Sequence, residues 1–168
     1  MSTTSRPNVD LGDREVAARN EILRTEVGSG VHGMAIPGTD DHDETGVYIE
    51  EPAQLLGLAP APQHWVWRTQ PMGARSGPGD IDRTLYGLRK FVRLALAGNP
   101  TILIPLYAVG PAVIVSTPLG EELRALTPSI VSQAATRRFL GYLDGQRERM
   151  LGGGRQSGVP NRPELVAR

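Results

Sequence analysis

The segment from Asp41 to Glu50, DHDETGVYIE, alternates with a period of two residues, which is typical of a β-strand. On a strand, one face carries Asp41, Asp43, Thr45, Val47 and Ile49, and the other carries His42, Glu44, Gly46, Tyr48 and Glu50. The carboxylates of Asp41 and Asp43 would therefore lie close together. Two like charges so placed repel and raise each other's pKa, unless a cation lies between them.

A second alternating segment precedes this strand. In Glu21–Val27, the residues Leu23, Thr25 and Val27 alternate with Arg24 and Glu26, so this segment predicts a strand that ends at Gly28-Ser29. The loop that follows is rich in glycine. Its backbone N–H groups and the Ser29 hydroxyl are suited to phosphate oxygens. Two carboxylates beside a phosphate-binding turn indicate a magnesium site, because Mg²⁺ takes one or two carboxylates together with substrate phosphates and water.

Two other interpretations of the acidic cluster stay open at this point. Asp40 and Asp41 are ordinary turn residues, so the cluster fits a solvated rim as well as a functional site. The letters DHDETG also resemble the opening of an EF-hand calcium loop. That motif needs a Glu at its twelfth position, where this chain has Pro52, and Thr45 would occupy the third ligand position.

The rest of the chain predicts an α+β fold, with a small mixed β-sheet and helices packed on it. Asp10 and Asp13 are suited to cap a short helix that ends near Asn20, and a third strand is expected over Gln63–Gln70. Helices are expected over Leu85–Ala97, from Pro118, and over Ser129–Leu151, with a strand at residues 111–117 between the first two. We expect a disordered N-terminus over residues 1–10, one domain over 11–151 and a flexible tail over 152–168.

Composition limits the classes of partner. Eighteen basic and eighteen acidic residues cancel, so net charge gives no argument for nucleic-acid or membrane binding. The absence of cysteine excludes disulfides and thiolate metal sites. The longest apolar stretch, residues 102–115, is interrupted by Pro105, Gly110 and Pro111, and no secretory signal is visible. We therefore expect a cytoplasmic protein without a membrane partner.

Two sets of residues together resemble a known family. GSGVHG, followed by TDDHDETGVYI, resembles the Gly-Ser turn and Asp-x-Asp strand of the DNA polymerase β-like nucleotidyltransferase superfamily. DRTLYGLRKFVRLALAGNPTIL (Asp82–Leu103) resembles one branch, the predicted nucleotidyltransferases described as RNA-repair-pathway DNA polymerase β-like proteins. Phe139–Met150 and Asn161–Leu165 resemble that branch's later segments. The resemblance covers about residue 22 to the C-terminus.

The resemblance implies a role for several residues. Asp41 and Asp43 would bind magnesium (or manganese), and Asp82, on a neighbouring strand, would complete the metal site and take the proton from the attacking hydroxyl. Gly28 and Ser29 would contact the triphosphate. From spacing alone, Asp82 also fits the N-cap of the helix predicted after it, with Asp80 as the alternative ligand. Because the loop is one residue longer than usual, Asp40 could replace Asp41.

Other residues carry weaker expectations. Lys90, the single lysine of the chain, matches the family's LRKF lysine and would contact the nucleotide; Arg75, in a Gly/Pro-rich loop, would clamp a phosphate. Trp65 and Trp67 share a strand face and would either stack a base or pack in the core. Ile104 stands where many relatives carry Glu. The family also continues beyond the position of Arg168, which favours a truncated domain.

The function implied is magnesium-dependent transfer of a nucleoside monophosphate from ATP or another NTP to an acceptor hydroxyl, with release of pyrophosphate. The acceptor could be an RNA end, a protein side chain or a small molecule. The alternative is a nucleotide-binding regulatory or toxin–antitoxin-type module that keeps the fold with little or no turnover.

Overall fold

The computed structural model describes residues 8–28, 41–57, 61–131 and 133–153. Its strands are β1 Asn8–Leu11, β2 Glu21–Val27, β3 His42–Tyr48, β4 His64–Pro71, β5 Ile81–Gly87 and β6 Val113–Ser116. Its helices are α1 Arg14–Arg19, α2 Pro52–Leu56, α3 Leu88–Leu96, α4 Pro100–Tyr107, α5 Pro118–Ala125, α6 Thr127–Ile130 and α7 Gln133–Gly153, and a 3₁₀ turn spans Gly110–Ala112.

The six strands form one mixed sheet in the order β1-β4-β5-β3-β2-β6. The two central strands, β3 and β5, are parallel, and the other neighbouring strands pair antiparallel. Parallel neighbours need a crossover connection, which here consists of α2 and β4. The predicted α+β fold with a small mixed sheet is confirmed.

An apolar cluster packs against each face of the sheet. The larger cluster lies between β2, β3 and helices α3–α7, and its members include Leu23, Val47, Phe91, Ile102 and Leu106. The smaller cluster lies on the opposite face under α1 and consists of Val16, Ala17, Tyr48, Trp65 and Leu85, with Trp67 packed against it. Alternation along each strand produces this division, because neighbouring residues such as Val47 and Tyr48 point to opposite faces.

The two tryptophans belong to the core of this second face. Trp65 is buried, and its indole N–H donates to Asp10 Oδ1 at 2.6 Å. Trp67 lies on the same face, with the Arg83 guanidinium 5.4 Å from the centre of its ring. Packing, the second of the two expectations, therefore accounts for this pair.

The ends of the chain differ from the expectation. Residues 8–10, expected within a disordered N-terminus, form β1 with Leu11 and pair with β4. Residues 152 and 153, expected in a flexible tail, belong to α7. Residues 1–7 and 154–168 lie outside the described part of the chain. The helix expected over Ser129–Leu151 is instead two helices, α6 and α7, with Val131 extended after α6.

Inside the domain, the boundary between β5 and α3 differs most from the prediction. Helical spacing predicted a helix from Leu85, but Leu85 lies in β5 and faces the α1 side of the sheet. Helix α3 begins at Leu88, after Gly87. Asp82 is thus a strand residue and not the N-cap of this helix. The EF-hand interpretation is wrong for a related reason, since residues 42–48 form a central strand.

Helix α4 was not predicted. Asn99 and Pro100, which follow the helix predicted over Leu85–Ala97, form the start of this second helix. The Asn99 side chain accepts a hydrogen bond from the backbone N–H of Thr101, and Pro100 occupies the first turn, where a missing N–H costs nothing. The first part of the interrupted apolar stretch is therefore a short, largely buried helix, and its last residues lie in β6. No helix within the described part of the chain is long and apolar enough to cross a bilayer.

Candidate active site

Asp43 and Asp82 lie side by side at one end of the central parallel strands. They are register partners in the β3–β5 pair, so both side chains point to the same face, the one covered by α3 and α4. Asp41 directly precedes β3. The backbone N–H of His42 donates to the carbonyl of Asp80 at 2.7 Å, which holds the starts of the two strands together. Two of the three predicted ligands are thus adjacent.

The electrostatics show that all three carboxylates share one region. The pKa of Asp43 is raised by burial first, then by the negative charges of Asp41 and Asp82, while Arg68 opposes this rise. The expected repulsion between Asp41 and Asp43 is therefore present, and Asp82 adds to it. A divalent cation among these oxygens would remove the repulsion.

The carboxylate of Asp82 is held by three residues that the sequence analysis did not identify. Arg68 Nε lies 3.0 Å from Asp82 Oδ1, and Gln70 Nε2 donates to the same oxygen at 3.0 Å. Ser76 Oγ donates to Asp82 Oδ2 at 3.3 Å and accepts from Gln70 Nε2 at 2.6 Å. Gln70 is buried. Arg68 and Gln70 are two residues apart on β4, and this spacing was the available signal that they share a face.

Asp80, the alternative ligand, has a different role. Its Oδ1 accepts from the Thr69 hydroxyl at 2.9 Å, and its Oδ2 accepts from the backbone N–H of Gly77 at 2.9 Å. Both oxygens therefore fasten the loop between β4 and β5. The register of the β3–β5 pair places Asp82, and not Asp80, opposite Asp43.

Gly28 lies against the carboxylate of Asp43. It directly follows β2 and has φ +101°, a backbone conformation that residues other than glycine rarely adopt. A Cβ placed there would lie 3.1 Å from Asp43 Oδ2. The backbone of the predicted phosphate turn thus starts next to the predicted metal ligand. Ser29 and Asp40 lie outside the described residues.

A Gly28→Ala variant is expected to lose activity that depends on Asp43, beyond what its loss of stability explains. The strained φ costs about 1–2 kcal/mol, and the new methyl group pushes on the Asp43 carboxylate. Gly73→Ala is the matched control, because Gly73 also has a positive φ, +82°, but has nothing within 4 Å of the added Cβ. Denaturant unfolding should show similar losses for both variants. Equal metal or nucleotide affinity in the two variants would contradict the role of Gly28.

Lys90 lies away from the aspartates, and Arg75 lies in an exposed loop. The Nζ of Lys90 lies 2.9 Å from His64 Nδ1 and 5.5 Å from the centre of the Tyr86 ring. Tyr86 is four residues beyond Asp82 on β5, roughly 13 Å along the strand. Burial, with Arg93 nearby, lowers the pKa of Lys90. Arg75 is exposed in the loop between β4 and β5.

Glu44, the remaining acid of the cluster, points to the opposite face and is neutralised there. Its Oε2 accepts from Arg83 Nε at 2.6 Å and from Arg24 Nη1 at 2.7 Å, and Arg24 in turn lies 2.9 Å from Glu21. Burial alone would raise the pKa of Glu44, but the hydrogen bonds from Arg83 and Arg24 outweigh it and lower that pKa. The described part of the acidic run thus divides into Glu44, which is paired with arginines on one face, and Asp43, which lies with Asp82 on the other.

A Glu44→Gln variant is expected to lose about 2 kcal/mol of unfolding free energy at neutral pH, because two charge-assisted hydrogen bonds to buried guanidinium groups are weakened. A carboxyl with a lowered folded pKa stabilises the fold above its ordinary pKa of 4.5, and this stabilisation is lost as the pH falls through the lowered value. The difference in unfolding free energy between the variant and the native protein should therefore become smaller at acidic pH. Urea unfolding at several pH values measures it, with the exposed Glu121→Gln as control.

The donor chemistry at the Asp43–Asp82 pair fits a hard divalent cation, since carboxylate oxygens are its preferred ligands. Among the described residues, no group of three or more His, Cys, Asp or Glu side chains is arranged to hold a metal ion. The positive charge beside Asp82 is instead the Arg68 guanidinium, whose side chain is 44% exposed. A metal would thus be held by Asp43 and Asp82, with Asp41 close enough to add its charge.

Residues 11–159 match the model of the RNA repair pathway DNA polymerase beta family. The chain belongs to this family. No curated protein and no solved structure matched the chain. The family resemblance expected from the Gly-Ser turn, the Asp-x-Asp strand and the LRKF segment is confirmed, and membership supports a polymerase β-like nucleotidyltransferase.

Proposed function

We propose that this protein of the RNA repair pathway DNA polymerase beta family is a magnesium-dependent nucleotidyltransferase. The observation that carries the proposal is the register pair of Asp43 and Asp82, with the Gly28 backbone beside Asp43. It brings two strand carboxylates next to a glycine turn suited to phosphates, which is the arrangement that nucleotidyl transfer needs. Manganese is the alternative ion.

In the proposed reaction, the acceptor oxygen bonds to the α-phosphorus of the NTP, and the bond from that phosphorus to the bridging oxygen breaks. Pyrophosphate leaves. Asp82 takes the proton of the acceptor hydroxyl, and Asp43 and Asp82 hold the ion; Asp41 adds negative charge to their region. The bound ion would supply charge neutralisation at the phosphates and polarisation of the reacting oxygens.

Other residues would position the substrate. The Gly28 backbone, with Ser29 after it, would contact the β- and γ-phosphates. Arg68, exposed and already beside Asp82, would turn from this carboxylate to the triphosphate when the ion takes its place. Arg75 lies in the loop between β4 and β5 and would clamp a phosphate. Lys90 is separated from the aspartates, so a contact with the far end of the nucleotide or with the acceptor suits it better.

The test is release of pyrophosphate by the purified chain with each of the four NTPs and Mg²⁺ or Mn²⁺. RNA ending in a 3′-hydroxyl is the first acceptor, and the protein itself is the second. Transfer of an α-³²P-labelled monophosphate to either acceptor would support the proposal. Suppose that the chain binds a non-hydrolysable NTP analogue but transfers nothing from the labelled NTPs to RNA, protein or small alcohols. This result would overturn the proposal in favour of the regulatory module.

A further inference from the structure

The hydroxyl of Ser76 lies against the carboxylate that is proposed to take the acceptor's proton. Ser76 is in the loop between β4 and β5, and its Oγ donates to Asp82 Oδ2 at 3.3 Å. A general base must lie within hydrogen-bond reach of the proton that it removes, and this distance often shortens only once the substrate is bound. Among the hydroxyl side chains that the structure describes, Ser76 is the one that donates to Asp43 or Asp82.

A single buried amide holds both groups of this hydrogen bond. The Nε2 atom of Gln70 donates to Ser76 Oγ at 2.6 Å and to Asp82 Oδ1 at 3.0 Å, which uses both of its hydrogens. Gln70 is only 5% exposed, so its amide is fixed. A hydroxyl thus contacts a base while a third group orients both, and this is the pattern of an activated nucleophile.

Ser76 also occupies the approach to Asp82. Arg68 and Gln70 contact Oδ1 of this carboxylate, Ser76 contacts Oδ2, and the side chain of Asp82 is only 19% exposed. An acceptor from solution must therefore displace Ser76 from Oδ2, or turn the carboxylate, before Asp82 can take its proton. The hydroxyl of Ser76 needs no such displacement.

Attachment to the same chain gives Ser76 an advantage over a dissolved acceptor. A group that is held in the correct orientation beside its reaction partner reaches an effective concentration of up to about 10⁵–10⁸ M. Enzymes usually meet dissolved substrates at roughly 1 μM–1 mM. The Ser76 hydroxyl therefore competes well even if its loop provides only a small fraction of the ideal alignment.

We infer that Ser76 is an acceptor of the nucleoside monophosphate, so that the chain modifies itself, which rests on the proposed function. Ser76 Oγ forms a bond to the α-phosphorus of an NTP, and its proton passes to Asp82. The bond from that phosphorus to the bridging oxygen breaks, and pyrophosphate leaves. The product is a serine phosphodiester, in which Ser76 no longer has a hydrogen to donate to Asp82. Each chain can therefore react once at this position.

Mass spectrometry of the intact chain, as purified and after incubation with Mg²⁺ and each of the four NTPs, tests this self-modification. We expect a gain of one nucleoside monophosphate per chain, and none in Asp43→Asn. Trypsin cleaves after arginine, and the peptide Ser76–Arg83, SGPGDIDR, contains a single hydroxyl side chain, that of Ser76. The added group should lie on this peptide. If it blocks cleavage after Arg75, fragmentation of the longer peptide distinguishes Ser76 from Thr69.

Substitutions test the identity of the acceptor. Ser76→Ala should remove the modification, and Ser76→Thr, which keeps a hydroxyl, should restore part of it. Because Ser76 also contacts Asp82, the restoration by Thr separates the loss of an acceptor from a disturbed carboxylate. The matched control is Ser116→Ala, since Ser116 also donates to a carboxylate, that of Glu121, but outside the site. Its modification should equal that of the native chain.

Dilution tests whether the transfer occurs within one chain. The rate constant of modification should stay the same over a hundredfold range of chain concentration. A tagged Asp43→Asn chain, mixed with the native chain, should stay unmodified, because its Ser76 belongs to its own inactive site.

Modification of any other residue, or a rate constant that rises in proportion to the chain concentration, would overturn the assignment of Ser76. Transfer to RNA by a chain that stays unmodified would also overturn it, and that result would leave the proposed nucleotidyltransferase standing. If neither the chain nor an added acceptor gains a monophosphate and no pyrophosphate appears, the proposed function fails together with the role of Ser76.

Discussion

An Asp43→Asn variant is expected to lose on the order of 10²–10³-fold or more of nucleotidyl transfer, the loss typical when one group that stabilises the transition state is removed. Asn has the size of Asp but no charge, so it binds a divalent ion poorly. Asp43 is also the acid in contact with the Gly28 turn and in register with Asp82. Transfer of labelled monophosphate measures the loss, and Mn²⁺ affinity, followed by electron paramagnetic resonance, should fall in parallel.

The same variant should be as stable as the native protein, or slightly more stable, when no metal is present. The pKa of Asp43 is raised from 3.8 in the folded state, chiefly by burial and then by Asp41 and Asp82. An acid with a raised folded pKa favours the fold in its protonated form, and this contribution is lost as the pH rises through the folded pKa. Asn avoids this loss at neutral pH. A marked drop in unfolding temperature without metal would assign Asp43 a structural role.

Phe91→Ala should produce the largest loss of stability, about 3–5 kcal/mol of unfolding free energy. Phe91 is fully buried and lies in the cluster that joins α3 to Val47 of β3 and Leu23 of β2. Its removal leaves a cavity directly behind the strands that carry the site. Thermal or urea unfolding measures the effect, and the variant should also bind metal less tightly at temperatures where it is partly unfolded.

The matched control for Phe91 is Leu96→Ala in the same helix. Leu96 is 55% exposed, so its truncation removes little buried area and should change the stability by less than about 1 kcal/mol. Replacement by Ala raises helix propensity at both positions by less than about 0.7 kcal/mol, so propensity does not account for a difference of several kcal/mol. Similar losses for the two variants would mean that α3 does not pack on the sheet as described.

The sequence predicted the elements whose period is unambiguous. In β2, Leu23, Thr25 and Val27 are buried, as expected for one face. In β3, Val47 and Tyr48 lie in the clusters on opposite faces, as the alternation predicts.

The start of α3 was wrong because Leu85 happens to stand three residues before Leu88, at a helical spacing, while its burial comes from the strand. Gly87, at the junction, was the signal that the spacing crossed a boundary. Such coincidences cannot be resolved by periodicity, since tertiary packing decides them.

Only the part of the candidate site whose residues are close in sequence could be predicted. Asp43 and Gly28 follow from the strand–turn–strand pattern around them. The position of Asp82 came from the family resemblance, and the surroundings that Arg68 and Gln70 provide came from neither source. They depend on the register of β4 against β5, which pairs Arg68 with Asp82, and register between separate strands is set by the whole sheet.

The parallel pairing of β3 with β5 also determines when the site can form during synthesis. Asp82 leaves the ribosome 39 residues after Asp43, a few seconds later at ordinary elongation rates of roughly 5–20 residues per second. In that interval, β3 can pair with β2 but has one open edge, where a neighbouring nascent chain could add. Two copies pairing there in register would set Asp43 and Glu44 against the same acids, which is unfavourable. The acidic run is therefore expected to disfavour pairing of this kind until β5 arrives.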